Sequence, residues 1–188
     1  MISDEELFRQ WQQGNAGALE ALVQRYHRVL LAYLFRLVGQ VQIAEDLMQE
    51  TFVSLVREAQ SYRYPRPFAP WLYTIARNLA CNDRASAYRR HVELGQSLPE
   101  TPTSELDPSE LVERWTQHDD LQKALVHLNF EQREVLSLRF GQERSVKEVA
   151  DLLGIPVGTV KSRTFQALRT LRQYVEPDPR QDVVMRGE

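Results

Sequence analysis

Residues 145–172 read SVKEVADLLGIPVGTVKSRTFQALRTLR. Ser145 can cap a helix whose inward positions are Val149, Ala150 and Leu153. Ala150 is small where two helices would cross closely. Gly154 admits the left-handed backbone that a tight interhelical turn requires. A second helix follows over about 157–174, with Val157, Val160, Leu168 and Leu171 as its buried stripe. That leaves Thr159, Lys161, Ser162, Arg163 and Gln166 outward near its N-terminal half. These are phosphate- and base-edge-contacting residue types, at the end of a helix that enters a major groove. The stretch therefore predicts a DNA-binding helix-turn-helix. A plain αα-hairpin with solvated basic residues is the alternative on these residues alone.

Working outward, the periodicity is helical almost throughout, with no strand pattern and no internal repeat. Helices are expected over about 110–127 and 131–140, ahead of the one at 145–153. Before them, the stretch 91–108, which holds most of LPETPTSELDPSE (98–110), is rich in proline, serine, threonine and acid, the composition of an extended linker. Further back, helices are expected at 3–13, where Ser3 and Glu6 have capping-box spacing, and at 16–38, 41–59 and 70–90. Gly39 ends the second of these. SYRYPRPFAP, with three prolines, is the loop before the fourth, and Pro70 suits that helix's first turn. The fold class is all-α: two small helical domains joined by an acidic flexible linker, the C-terminal one a helix-turn-helix. The boundaries are 1–92, a linker at 93–117, 118–176 and a tail at 177–188.

Charge is distributed in blocks. Residues 61–90 carry a net +5, residues 91–120 a net −7 and residues 121–174 a net +4, inside a total of −3. Two basic surfaces separated by an acidic connector fit two anion-binding sites better than one diffuse basic patch, although solvated helices can cluster charge by chance. No apolar run is long enough to span a bilayer. The start, MISDEELFRQ, lacks the basic-then-apolar order of a secretory signal. Cys81, the single cysteine, excludes an internal disulfide and a multi-cysteine zinc site, and it reads as a small buried residue. The four histidines show no ligand spacing, so neither a metal nor a cofactor is expected. The expected location is the cytoplasm.

One stretch resists a purely structural reading. In AEDLMQETF, residues 44–52, Asp46 and Glu50 fall one turn apart on a face that also carries Gln49. Like charges at that spacing cost an isolated helix roughly 0.2–0.5 kcal/mol. Local pairing with Arg57 or Arg36 would offset the cost; so would a partner.

QREVLSLRF, EVADLLGIPVGTVKSR, AEDLMQETF and PWLYTIARNLA together resemble four signatures of extracytoplasmic-function (ECF, group 4) sigma factors, in the family's order and spacing over about residues 5–174. The resemblance implies a subunit that binds core RNA polymerase and directs it to specific promoters, under an anti-sigma factor. It implies that Asp46, Gln49 and Glu50 dock on the clamp helices of the largest subunit. The flap of the second-largest subunit would hold the C-terminal domain. Around the −10 element it implies base or phosphate contacts from Tyr62, Arg77, Asn78, Asn82, Arg84, Arg89 and Arg90, with Asn78 on a flipped base. Trp71 stands where primary sigma factors have an aromatic pair, is followed by Leu72, and reads as core. At the −35 element it implies Thr159, Lys161, Ser162, Arg163 and Gln166, with fewer basic contacts than usual because Phe165, Gln166, Ala167 and Leu168 replace an "HRAR"-like run. The acidic linker would suit a basic nucleic-acid channel, or serve as a plain spacer. No catalytic residue is implied. The competing function is a stand-alone helix-turn-helix regulator that binds duplex DNA as a dimer. A nucleic-acid enzyme lacks its constellation of carboxylates, metal ligands or nucleophile.

Overall fold

A computed structural model describes residues 2–93, 125 and 127–175. Among these residues there are no strands. The helices are α1 (Asp4–Gln12), α2 (Ala16–Val38), α3 (Val41–Arg57), α4 (Phe68–Glu93), α5 (Phe130–Gly141), α6 (Val146–Leu153) and α7 (Val157–Val175). A short 3₁₀ turn, Ala59–Ser61, follows α3. The architecture is all-α with a helix-turn-helix at its C-terminal side, as the sequence indicates. The acidic linker, most of the helix expected over 110–127 and the tail lie outside the described residues.

Helix ends follow local chemistry, with informative exceptions. Ser145 and Glu148 form a reciprocal capping box at α6, and Asn129 with Gln132 forms another at α5. At α1 only half of the expected box exists. Ser3 accepts from the Glu6 N–H, but the Glu6 carboxylate turns to Arg9, at 2.9 Å. A guanidinium one turn away competes better for a carboxylate than one backbone N–H does. α4 begins two residues earlier than its proline suggests. Glu5 of α1 accepts the Phe68 N–H at 3.1 Å and so caps α4 from another helix.

Phe8 organises the N-terminal unit. It is fully buried, and its ring centroid lies 4.8 Å from Tyr62, 5.2 Å from Phe68 and 5.3 Å from Trp71. Trp71 is a core residue. These tilted and edge-on contacts tie α1, the proline-rich loop and the start of α4 together. Tyr26 of α2 closes the arrangement by donating to Asp4 at 2.5 Å.

The middle of α2 departs from amphipathic rhythm. Leu30, Leu31, Ala32, Tyr33, Leu34 and Phe35 are all buried. A helix covered on every side needs neighbours on every side. α1, α3 and α4 cover one part of α2, and α5 covers the rest. α6 in turn rests on α4. One continuous hydrophobic core consequently runs from Leu7 to Val160, joining the unit α1–α4 to the unit α5–α7.

Two core expectations require correction. Val157 and Leu168 of α7 are 42% and 45% exposed. α5 covers the face carrying Val160, Thr164, Ala167 and Leu171, and Val157 and Leu168 sit on its flank. Of the two leucines that end α6, Leu152 is buried and Leu153 is half-buried.

Candidate functional site

Three exposed helix faces collect the candidate residues. On α3, Ala44, Leu47, Met48, Thr51 and Leu55 face the core. Asp46 and Gln49 are exposed, Glu50 is partly exposed, and Val53 and Val56 extend the same outer side at 41% and 45% exposure. Glu50 does find the local partner considered above: Arg57 donates to its Oε1 at 3.1 Å. Both side chains are largely open to solvent, so the pair contributes only about 0.2–1 kcal/mol. Arg36 makes no such contact; it reaches instead across to Ser137 of α5. Beyond the Arg57 pair and the Ser54 hydroxyl, which donates to Glu50 at 3.4 Å, neither Asp46 nor Glu50 bonds to another helix among the described residues. Beside the C-terminal end of α3 opens a groove of about 780 Å³ lined by Trp11, Gln12, Val56, Arg57, Gln60 and Arg63.

On α4, Asn78 and Asn82 are one turn apart and exposed, and Arg84 is exposed on an adjoining side. Arg89 and Arg90 belong to the helix, with side chains outside the described residues. Arg77 differs. Its Nε donates to Glu134 Oε1 of α5 at 2.8 Å, and its guanidinium lies over the Phe130 ring at 6.0 Å. Tyr62 differs again. Its ring is only 2% exposed, inside the aromatic cluster, and its hydroxyl donates to the Arg66 carbonyl. What Tyr62 offers here is the anchorage of the loop; its ring presents no free stacking face.

On α7, Ser162 and Gln166 are exposed and Thr159 is partly exposed along one flank, while Lys161 lies on the other with Val157, Phe165 and Leu168. Arg163 is half-buried, and its charge is felt at Glu134. The fold therefore groups Thr159, Ser162 and Gln166 and separates them from Lys161. Gly154, at φ +64°, makes the turn that sets α7 against α6.

Glu134 is the most enclosed charged group described. It is 1% exposed and also accepts from the Tyr33 hydroxyl at 3.0 Å. Burial pushes its carboxyl above the usual carboxylate range, and Arg77, Tyr33 and Arg163 pull it back. Cys81 is half-buried where the sequence suggested a buried residue; what burial it has pushes its thiol up, against the nearby Arg77. Among the described residues no cluster of His, Cys, Asp or Glu could hold a metal, and no helix is long and apolar enough to cross a membrane.

The profile for Sigma-70 region 2 matches residues 22–90, and that for Sigma-70, region 4 matches residues 124–173. The ECF RNA polymerase sigma factor BldN of Streptomyces coelicolor is 34% identical, over 93% of this chain and 67% of its own length. The RNA polymerase sigma-H factor of Pseudomonas aeruginosa is 31% identical, over 93% of this chain and 94% of its own. The chain belongs to the extracytoplasmic-function RNA polymerase sigma factors.

Solved structures bear out the fold. CnrH, solved with the cytosolic domain of CnrY, superposes with a TM-score of 0.68 over 93% of this chain and 98% of CnrH, at 23% identity. RpoE of Bartonella quintana, solved with the anti-sigma factor NepR, superposes with a TM-score of 0.57 over 85% of this chain and 99% of RpoE, at 25% identity. In this sigma factor the region 2 match takes in α3, most of α2 and nearly all of α4, leaving α1 outside, although Phe8 makes α1 part of the same core. Sequence reasoning missed Glu134, Tyr33 and Arg36, the polar residues between the two regions. The signal that could have found them is LLAYLF, residues 30–35, a run too uniformly apolar for a helix covered on one face only.

Proposed function

We propose that this sigma factor docks on the clamp helices of core RNA polymerase through Asp46, Gln49 and Glu50. The observation that carries the reading is the α3 face itself, exposed, acidic and idle in the chain's own core. Carboxylates on such a face steer and orient docking against partner arginines. The unit 1–92 also reads and helps melt the −10 element through Asn78, Asn82, Arg84, Arg89, Arg90 and, once free, Arg77. Tyr62 supports that surface from beneath. The unit 118–176 reads the −35 element through Thr159, Ser162, Gln166 and Arg163, with Lys161 on phosphate, and rests on the flap. Residues 93–117 connect the two units, and 177–188 form a tail. The protein is a cytoplasmic initiation factor; the polymerase supplies the chemistry. NepR on RpoE supports control of this chain, too, by an anti-sigma factor.

Run-off transcription tests the reading. Purified protein, core polymerase from its source and fragmented genomic DNA should yield discrete 5′ ends that share spaced −35 and −10 elements and vanish without the protein. No new starts, with tight binding of the protein alone to duplex DNA, would establish the independent regulator instead.

A further inference from the structure

α7 carries Lys161, Arg163, Arg169 and Arg172 and no acidic residue. In the middle of this cationic helix a phenyl ring stands in water. Phe165 is 68% exposed, more than any other large apolar side chain among the described residues. α5 covers the side of Val160 and Ala167, both fully buried. At about 3.6 residues per turn, Phe165 lies roughly 140° and 160° around the axis from them, almost straight away from the core. On that outermost row it follows Ser162 by three residues and Lys161 by four, and it precedes Arg169 by four, so exposed polar side chains surround it. Val157 and Leu168 adjoin it on one flank. Phe165 also opens the run in which this chain departs from the "HRAR"-like pattern.

We propose that Phe165 is a specificity-determining residue of this sigma factor, and that its ring reads the 5-methyl group of a thymine in the −35 element. This rests on the reading of α7 as the −35 helix. The major groove offers donors and acceptors on every base pair and one apolar group, the thymine methyl. A phenyl ring pressed on the groove floor elsewhere would cover polar groups without bonding to them, which is unfavourable. The methyl marks one strand of its base pair, so the ring distinguishes A·T from T·A as well as from both G·C orders. Phe165 lies roughly 12 Å along the axis from Val157, still in the half of α7 that leads into the groove. A protein surface is the other occupant an exposed ring can have. Lys161, Arg163 and Arg169, with no acid among them, favour DNA.

The test uses holoenzyme assembled from the full chain and core polymerase, on promoters defined by run-off transcription. Each thymine of the −35 element is replaced in turn by deoxyuridine, which removes the 5-methyl group and leaves base pairing intact. At one position the exchange should weaken promoter binding roughly three- to fivefold, the loss expected for one buried methyl. Phe165→Ala should lose a similar amount on the thymine promoter and nothing further on the deoxyuridine one. Its affinity for core polymerase and its thermal midpoint should match wild type, since the ring stands in water. Full affinity for every deoxyuridine promoter, a penalty undiminished in Phe165→Ala, or −35 elements without an A·T pair would overturn the proposal. So would weaker binding of Phe165→Ala to core polymerase with deoxyuridine tolerated throughout, which would give the ring to a protein contact. Ser162→Ala and Gln166→Ala separate this proposal from the reading beneath it. If neither alters selectivity for the −35 sequence, the reading of α7 fails; if they alter it and no methyl effect exists, only the part given to Phe165 fails.

Discussion

At the scale of single residues, the contrast between Glu50 and Glu134 shows how surroundings decide what a carboxylate does. Both contact an arginine at close to 3 Å, Arg57 at 3.1 Å and Arg77 at 2.8 Å. Glu50 is solvated, so its pair is weak and easily exchanged for a partner's arginine. Glu134 is enclosed, so removing Arg77 leaves an uncompensated carboxylate in a poor dielectric, whereas Arg77 keeps access to water. Glu50→Lys should accordingly leave the thermal midpoint within about 2 °C of wild type, since it forfeits under ~1 kcal/mol of surface pairing. It should weaken binding to core polymerase about tenfold or more, because a like charge would then face the partner's arginines. Fluorescence anisotropy with labelled protein reads this directly; unchanged affinity would remove the α3 face from the docking surface. The acidic face proposed for docking was legible in the sequence as an exposed face, because charge at helical spacing survives translation into structure. Arg77 was legible as a cation, but not as one already paired.

At the scale of elements, the helix-turn-helix was read correctly in outline and misread in its facing. Gly154 and the Ser145 cap are local chemistry, fixed by backbone sterics and hydrogen bonding within a few residues. Which side of α7 is covered is not local. It depends on where α5 lies, and α5 leaves Val157, Phe165 and Leu168 in the open. Two glycines of this element should respond oppositely to the same substitution. Gly154→Ala forces a side chain into φ +64° and should cost about 1 kcal/mol, lowering the thermal midpoint by roughly 2–4 °C. Gly158→Ala meets open space in ordinary helical backbone, and should stabilise by up to about 1 kcal/mol. Differential scanning calorimetry distinguishes them; equal shifts would contradict the left-handed turn.

At the scale of the whole molecule, one core serves both units. Leu22 through Leu37 are shared among α1, α3, α4 and α5, so neither unit can lose its structure without exposing apolar surface of the other. Each fully buried leucine or phenylalanine so exposed costs about 1.5–3 kcal/mol. Urea unfolding of the free protein should therefore be a single transition, with far-UV circular dichroism and tryptophan fluorescence coincident. Trp11 and Trp71, two of the three tryptophans, report on the N-terminal unit, while the dichroism averages all helices. Two separated transitions would mean that the units are stable apart and that the shared core contributes little.

The sequence by itself determined the described helices, the Ser3 and Ser145 caps, the turn at Gly154 and the residue types on the three outer faces. Each of these is set by interactions among residues a few positions apart, or by charge that must remain in water. The tertiary structure alone decided that Glu134 would meet Arg77 and Tyr33, that Arg36 would lie against Gly141, that Tyr62 would be locked beneath the loop, and that α2 would be covered on every side. Those outcomes depend on contacts between residues as much as about a hundred positions apart, as from Tyr33 to Glu134, and helical periodicity carries no record of which distant helix supplies the neighbour.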